Sequence, residues 1–435
     1  MMLRAGTSLR ADRSPVEEQA AVRPGAEARV SQLSLKAMHT ALRKTTEVLA
    51  NELASPSAVT PDWSGTEWLV ARAVATIHGV SPLLSDALRW QGPAGWAEFL
   101  AEQKAHTAKR FLRIQQLLQL TNSRACDEGI ALVALKGAAL HASGIYAAGE
   151  RPMADIDLLV REEESPRTAQ MLEELGFHRS YATWKHVVFE QGDCAAPVAL
   201  GEHSSNGIKI ELHSRIREIL PLRPVDVSQV VIPQRPHPGL NAYPSKAALL
   251  IHVLLHASGA MIFRGLRLLN LHDVARLSRG MTDEDWEEVF RQTAGIDDGN
   301  LWWAFPPLAL AARYYSCIPD RVLARAAAGC HWLLKQVYGR RTLSDVSLSH
   351  LWISAFPGIE WARSPREMLA YAAARVVPSA ETVGLREAFA TLQPRVSGGS
   401  WAHLSQGQRM LRWVMSRQAR HETLQPVRAA LSEAH

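Results

Sequence analysis

The chain has 435 residues, enough for two or three domains, and its 47% hydrophobic and 21% charged residues are typical of a soluble globular protein. The formal net charge of +5 suits an anionic ligand without specifying one. The four cysteines are widely separated and form no C-x-x-C pair, which argues against a disulfide framework and against a cysteine zinc site.

The chain shows no pattern typical of targeting or of a membrane span. Residues 1–30 are rich in Arg, Glu, Ala and Pro without an apolar stretch, so we expect a disordered tail and no signal peptide. The most apolar segment, residues 247–263, is only 17 residues long and contains two histidines. A membrane-spanning helix needs about 20 apolar residues. We therefore predict a cytoplasmic protein with no membrane partner.

The remaining sequence divides into three parts by its hydrophobic periodicity. Residues 31–127 have helical spacing, and residues 241–435 return to it after an interruption. Between them, residues 128–240 alternate helical stretches with short apolar ones, and the predicted strands are GIALVAL, ADIDLLV, HVVFEQG and GIKIELHS. These patterns predict an α+β protein, in which a small mixed sheet forms the core between N-terminal and C-terminal helical regions.

Two aspartates lie in the otherwise apolar stretch RPMADIDLLV. Because side chains alternate between the faces of a strand, Asp155 and Asp157 share one face, whereas Ile156 and Leu158 share the other. The apolar face is expected to pack on a helix while the acidic face opens to a cleft. Neighbouring carboxylates repel each other, and a divalent cation removes that cost. Mg²⁺ binds such oxygens and keeps substrate phosphates as further ligands.

A later segment, KIELH, places Lys209, Glu211 and His213 on one face of a second strand. If this strand lies beside the first, Glu211 becomes a third acid in one cluster. Three carboxylates on neighbouring strands are able to hold two Mg²⁺ ions for phosphoryl transfer. Acidic residues on exposed strand faces also occur without any function. We predict Asp155, Asp157 and Glu211 as the catalytic and metal-binding residues.

The string VALKGAALHASGIYAAGERPMADIDLLV, followed later by IELHSRI, resembles the polymerase-β-type nucleotidyltransferase superfamily. It is similar to a bacterial uncharacterised nucleotidyltransferase family, whose members combine L-K-G, a short helix, R-x-x-x-D-I-D-L-L and a later E-L-H or D-L-H. The resemblance implies that the three acids hold the metal ions. It also implies that Lys136 and Gly137 contact the phosphates of an NTP, through the lysine charge and the start of a helix.

Further residues are candidate nucleotide contacts, each with a plainer alternative. Arg151 either reaches a phosphate or pairs with the nearby acids. Lys185 and His186 precede a predicted strand and either contact phosphate or acceptor or lie on the surface. His213 either has a role in the site, by orienting Glu211 or by touching the substrate, or serves only the structure.

Helical segments after residue 241 contain three more groups of interest. His252 and His256 are four residues apart on a helix, but no acidic motif accompanies them, so a packed helix that covers the cleft is favoured over a metal site. Arg267 and Asp273 are expected to tie this lid to the catalytic core. Near the C-terminus, a basic stripe on one helical side is predicted from Arg409, Arg412, Arg417 and Arg420. A solvated face is the favoured interpretation, and nucleic-acid binding is the alternative.

No P-loop, dinucleotide-binding or serine-hydrolase signature is present in the sequence. We predict a Mg²⁺-dependent enzyme that transfers a nucleoside monophosphate from an NTP to a hydroxyl and releases pyrophosphate. The resemblance favours a small-molecule or modified-peptide acceptor, of the kind found in natural-product gene neighbourhoods. Two alternatives stay open: a toxin-like transferase acting on tRNA or protein, and a non-catalytic nucleotide-binding module.

Overall fold

A computed structural model describes residues 33–192, 200–379, 404–415 and 417–432. The predicted N-terminal tail therefore lies outside the described residues, as does part of the loop that precedes the strand containing Glu211. The strands are β1 (Ala131–Ala134), β2 (Asp155–Leu159), β3 (Phe177–Ala182), β4 (Val187–Gln191), β5 (Lys209–His213), β6 (Arg217–Ile219), β7 (Pro224–Asp226) and β8 (Gly239–Asn241).

Along the chain, helices lie before, between and after these strands. Before the sheet lie α1 (Leu35–Ala54), α2 (Gly65–Ile77), α3 (Ser81–Ala87) and α4 (Ala94–Asp127). Within it lie α5 (Lys136–Ala142), α6 (Ser165–Glu174) and α7 (Ser228–Val231). After it come α8 (Lys246–Ile262), α9 (Leu268–Arg279), α10 (Asp283–Thr293), α11 (Phe305–Tyr315), α12 (Asp320–Ala328), α13 (Trp332–Tyr338), α14 (Leu343–Val346), α15 (Pro365–Val376), α16 (Gln406–Met415) and α17 (His421–Ser432).

Six strands form one mixed sheet in the order β3-β4-β5-β2-β1-β8, and β6 pairs with β7 separately. This architecture confirms the predicted α+β fold. The sequence predicted β1, β2, β4 and β5. It did not predict β3, which lies at the sheet edge with exposed polar residues, or the three-residue strands, which are too short to show a period.

The register between β2 and β5 places the acidic side chains together. The two strands pair in parallel, and Asp157 lies opposite Glu211 while Asp155 lies opposite Lys209. Strand β4 pairs with the other edge of β5 in the antiparallel direction, with Val188 opposite Glu211. The prediction that the two acidic strands are neighbours is therefore confirmed.

The apolar face of the sheet packs on helices α4 and α6, as the alternation predicted. Ile156 and Leu158 of β2 are fully buried in a cluster with Ile114 of α4 and Met171 of α6. A second, larger cluster joins residues of α1 and α2 to residues of the helices after the sheet, from Met38 through to Ala430. The N-terminal and C-terminal helices thus share one core, and the division into separate domains stays a prediction.

Helix α8 is buried along most of its length, which agrees with the predicted packed helix over the cleft. No helix in the described ranges is both long and apolar enough to cross a membrane. The described cysteines, Cys126, Cys317 and Cys330, are free thiols. Cys194 lies outside the described residues.

A buried ion pair ties the lid helices to the sheet. Arg151, in the loop before β2, donates hydrogen bonds from Nε and Nη2 to the two carboxylate oxygens of Asp273 on α9, at 2.9 and 2.8 Å. The hydroxyl of Tyr146 donates to the same carboxylate at 2.8 Å. Both charged side chains are almost fully buried. The expectation that Asp273 ties the lid to the core is met, through Arg151.

We predict that Arg151→Met and Asp273→Asn each lower the free energy of unfolding by about 3–5 kcal/mol. Each substitution leaves the other charged side chain of the pair buried without a counter-charge. Combining Arg151→Met with Asp273→Asn should cost less than the sum of the separate losses. Urea denaturation followed by tryptophan fluorescence measures these values. Arg215→Met, which breaks the exposed pair with Glu162, is the matched control and should leave stability unchanged. Equal small effects at buried and exposed pairs would contradict the stabilising role assigned to the Arg151–Asp273 pair.

Candidate active site

A cavity of about 410 Å³ lies between the acidic face of the sheet and helices α8 and α9. It lies within the size range of small-ligand sites. Every residue that the sequence singled out for catalysis, metal or nucleotide binding lines this cavity: Lys136, Gly137, Arg151, Asp155, Asp157, Lys185, His186, Glu211 and His213.

Asp157 is the most buried of the three acids, with 4% of its surface exposed. Its Oδ1 accepts a hydrogen bond from Lys136 Nζ at 2.6 Å and lies 3.1 Å from His213 Nε2. Although burial opposes ionisation, Lys136 and His213 hold the pKa of Asp157 well below its usual value. The carboxylate of Asp157 is therefore ionised and already paired with a cation of the protein.

Asp155 has a different environment from Asp157. Within the described part of the chain, its carboxylate makes no hydrogen bond and no ion pair. Burial in the cavity, followed by repulsion from Asp157 and Glu211, raises the pKa of Asp155 from 3.8 to about 7. The same sheet face thus carries one carboxylate that the protein neutralises and one that it does not, which is the arrangement that a bound divalent cation would stabilise.

Lys136 reaches Asp157 from an unusual backbone conformation. Its φ of +46° lies in the left-handed region, which residues other than glycine seldom adopt. The backbone of Lys136 contacts the hydroxyl of Tyr243, and this hydroxyl lies 2.6 Å from Nδ1 of His252. Although burial opposes it, the nearby acids, Asp157 first, raise the pKa of Lys136 above its ordinary value. The lysine therefore carries a fixed positive charge above the acidic face.

Gly137 has a packing reason for being glycine. A Cβ at this position would lie 2.5 Å from Nη1 of Arg151 and 2.8 Å from Cγ of Met153. A larger residue would therefore displace the guanidinium that pairs with Asp273. Arg151 itself pairs with Asp273 and not with the two aspartates of β2, so the alternative in which it pairs with those acids is wrong.

Lys185 and His186 enter the cavity from the turn before β4. Both carboxylate oxygens of Glu218, on β6, accept hydrogen bonds from Lys185 Nζ, at 2.5 and 2.6 Å. No sequence pattern pointed to Glu218, because its partner lies 33 residues away on another strand. Trp184 is half-exposed beside them, with Lys185 Nζ 5.0 Å and the Arg217 guanidinium 5.6 Å from the centre of its ring.

Two histidines approach Glu211 from neighbouring strands. Nδ1 of His186 and Nε2 of His213 lie 3.3 and 3.7 Å from Oε2 of Glu211. Burial lowers the pKa of His186 to about 4, so its imidazole is neutral near pH 7 and the contact is not an ion pair. Although burial opposes it, hydrogen bonds to Asp157 and Glu211 raise the pKa of His213. The strand period predicted that His213 and Glu211 share one face of β5, but the contact of His213 with Asp157 depends on the pairing of β5 with β2.

Several side chains offer ligands for a divalent cation. Asp155, Asp157 and Glu211 supply carboxylate oxygens from two adjacent strands. Across the described residues, the three side chains whose ligand atoms all lie within 4.8 Å of one another are His186, Glu211 and His213. The three acids by themselves do not form such a group in that part of the chain. His252 and His256 do not form one there either, and His252 bonds to Tyr243 instead.

The arginines near the C-terminus do not form the predicted stripe. Helix α16 ends at Met415, so Arg417 and Arg420 lie beyond it. Arg409 is buried and donates from Nε to the carbonyl of Leu404 at 3.0 Å, whereas Arg420 donates to the carbonyl of Arg264 at 2.6 Å. None of the predicted stripe lines the cavity. The prediction of one helical basic side is therefore wrong, because Arg417 and Arg420 lie beyond the helix and because Arg409 and Arg420 bond to backbone carbonyls.

We predict that Asp155→Asn stabilises the metal-free protein more at pH 8 than at pH 5.5. The pKa of Asp155 is higher in the folded protein than in the unfolded chain, so its stabilising contribution is full below the unfolded pKa of 3.8, falls as the pH rises, and is lost above about pH 7. Asparagine has no such loss, and its gain at pH 8 should exceed its gain at pH 5.5 by about 2 kcal/mol. Thermal unfolding in EDTA at both pH values measures it.

Glu190→Gln is the matched control for Asp155→Asn, since Glu190 lies on the same sheet outside the cavity and pairs with Lys209. It should show no stabilisation at pH 8. An equal effect of Asp155→Asn at both pH values would refute the proposed repulsion at Asp155.

Comparison with known proteins gives one informative match. The model of a family described as "Uncharacterised nucleotidyltransferase" matches residues 64–298, which include α2 to α10 and the whole central sheet. Comparisons with curated proteins and with solved structures gave no match.

Proposed function

The chain belongs to the uncharacterised nucleotidyltransferase family and is a transferase, and from this premise we propose that it moves a nucleoside monophosphate from an NTP to a hydroxyl of a small molecule or modified peptide. Pyrophosphate is the second product. Mg²⁺ is the proposed cofactor, as two ions held by Asp155, Asp157 and Glu211. When bound, these ions would neutralise phosphate charge and lower the cost of bringing carboxylates and phosphates together.

The register of β2 against β5 is the observation that supports this proposal most. It sets Asp157 opposite Glu211, with Asp155 on the same face, above a cavity of about 410 Å³. The unpartnered carboxylate of Asp155 supports a role for a cation here. Carboxylate oxygens are the ligands that Mg²⁺ prefers.

In the proposed reaction, the acceptor oxygen forms a bond to the α-phosphorus while the bond to the pyrophosphate oxygen breaks. The carboxylate of Glu211 takes the proton of the acceptor hydroxyl. Lys136 carries a positive charge next to Asp157 and is the proposed contact for the NTP phosphates, together with Gly137. Lys185, His186 and His213 complete the proposed nucleotide-binding wall, and Arg151 acts by holding the lid.

The size of the cavity supports a small or slender acceptor. Its volume of about 410 Å³ lies within the range of small-ligand sites. Helices α8 and α9 cover one side, so that residues from 128–240 and from the helical part after 241 both line it. The C-terminal arginines, which would have favoured RNA, do not line it. A small molecule or an extended peptide segment therefore suits the proposed site.

We predict that Asp157→Asn and Glu211→Gln each reduce nucleotide transfer at least about 100-fold, because each removes a carboxylate that the reaction needs. The measurement uses labelled NTPs with Mg²⁺ and fractions of small molecules, peptides and RNA as acceptors. Glu190→Gln, a carboxylate-to-amide change on the same sheet outside the cavity, should keep full activity. Full activity of Asp157→Asn would refute the proposed reaction, and label moving to RNA would refute the proposed acceptor.

We predict that Lys136→Met raises the KM for the NTP about 10- to 100-fold, since a hydrogen bond to a charged group contributes about 1.5–3 kcal/mol. The KM is measured at saturating acceptor. Lys209→Met removes a lysine of β5 that pairs with Glu190 outside the cavity, and it should leave the KM unchanged. An unchanged KM in Lys136→Met would assign Lys136 to the structural support of Asp157 alone.

A further inference from the structure

We propose that His186, Glu211 and His213 form a binding site for a first-row transition-metal ion such as Co²⁺, Zn²⁺ or Ni²⁺, beside the carboxylates of β2. Their ligand atoms all lie within 4.8 Å of one another. The site goes beyond the proposed nucleotide transfer, in which Glu211 is the proposed base and His186 and His213 line the proposed nucleotide-binding wall. Metal binding is measurable by itself, whether or not transfer occurs.

The distances between the ligand atoms suit a small metal ion. Nδ1 of His186 lies 3.3 Å and Nε2 of His213 lies 3.7 Å from Oε2 of Glu211. A tetrahedral site with bonds of about 2.1 Å separates its ligand atoms by about 3.4 Å. An ion would therefore need only small side-chain adjustments to reach all three atoms.

Strand β5 and the turn before β4 hold these ligands in place. Glu211 and His213 lie on the same face of β5, and His186 is the turn residue that immediately precedes β4, which pairs with β5 in antiparallel register. Two hydrogen bonds close the turn: the Thr183 N–H donates to the His186 carbonyl at 2.8 Å, and the His186 N–H donates to the Thr183 hydroxyl at 3.2 Å. The two ligands on the hydrogen-bonded strand keep their spacing better than ligands on loops, and the closed turn places His186 beside them.

One ligand atom makes no hydrogen bond inside the described protein, although Oε2 of Glu211 lies 3.3 Å from it. Nδ1 of His186 is inaccessible to solvent and makes no hydrogen bond. Buried polar atoms without partners are uncommon and require an explanation. A metal ion at this point would satisfy that nitrogen. His213 would exchange its contact with Asp157 for the metal, and Asp157 would keep its hydrogen bond from Lys136.

The chemistry of the donors selects the class of metal. Imidazole nitrogens favour Zn²⁺, Co²⁺, Ni²⁺ and Fe²⁺, whereas Mg²⁺ favours oxygen ligands. Asp155 and Asp157 offer oxygen alone, and the proposed site offers two nitrogens and one oxygen. The ligands beside Glu211 therefore differ in metal preference: the aspartates of β2 favour Mg²⁺, and the two histidines favour a transition metal. A transition metal bound at the histidines would also bind the carboxylate of Glu211.

The test is titration of the full-length, tag-free protein with CoCl₂, followed by visible absorption and by calorimetry. The wild type should bind Co²⁺ and show intense visible absorption bands, because a tetrahedral Co²⁺ site has no centre of symmetry. His186→Gln and His213→Gln should each weaken binding at least about tenfold, because each removes one of three protein ligands. His256→Gln, which removes another histidine of the cavity outside the ligand group, should bind as the wild type does.

A second measurement keeps the proposal testable if a variant does not fold. Pulsed EPR of the wild type with Cu²⁺ as the paramagnetic probe should detect coupling to imidazole nitrogens. Absence of nitrogen coupling, or equal Co²⁺ affinity in the wild type and both histidine variants, would overturn the proposal. Asp155→Asn separates this site from the proposed reaction, since it should abolish transfer while leaving the Co²⁺ spectrum unchanged.

Discussion

Repulsion among carboxylates on adjacent strands is the constraint around which the cavity is built. The parallel pairing of β2 with β5 fixes Asp157 opposite Glu211, and the alternation of the strand brings Asp155 to the same face. The protein neutralises Asp157 with Lys136 and His213 but gives Asp155 no partner in the described chain. A cationic cofactor and a polyanionic substrate together match this uneven charge, which is why the proposed nucleotide transfer suits the site.

The surroundings of the acids keep this arrangement rigid. Arg151 and Asp273 join the loop before β2 to helix α9 through two hydrogen bonds, and Gly137 leaves the space that the guanidinium requires. Lys136 adopts a left-handed backbone conformation above the sheet. Strain of this kind persists where the surrounding structure holds it, as Tyr243 and the Arg151 pair do here.

Much of the sheet was predictable, because a period of two residues in a short apolar run specifies a strand and its faces. That rule put Asp155 and Asp157 on one face of β2, and Glu211 on one face of β5, but it grouped the three acids only on the condition that the two strands are neighbours. It failed for β3, whose exposed edge residues are polar. Helical spacing failed separately for the terminal arginines, because it was extended past the end of helix α16. Partners such as Glu218 for Lys185 carried no local signal, since the two residues lie on different strands.

The sequence by itself determined the family resemblance, the acidic face of β2 and the small residues beside it, because these follow from local spacing. Only the tertiary structure decided which side chains meet across strands. Strand order and helix packing decide three such features. His186 lies close to Glu211, Arg151 pairs with Asp273, and Asp155 has no hydrogen bond or ion pair in the described chain. Sequence separation carries no information about such contacts, because the hydrophobic core that aligns the elements is formed by the whole chain.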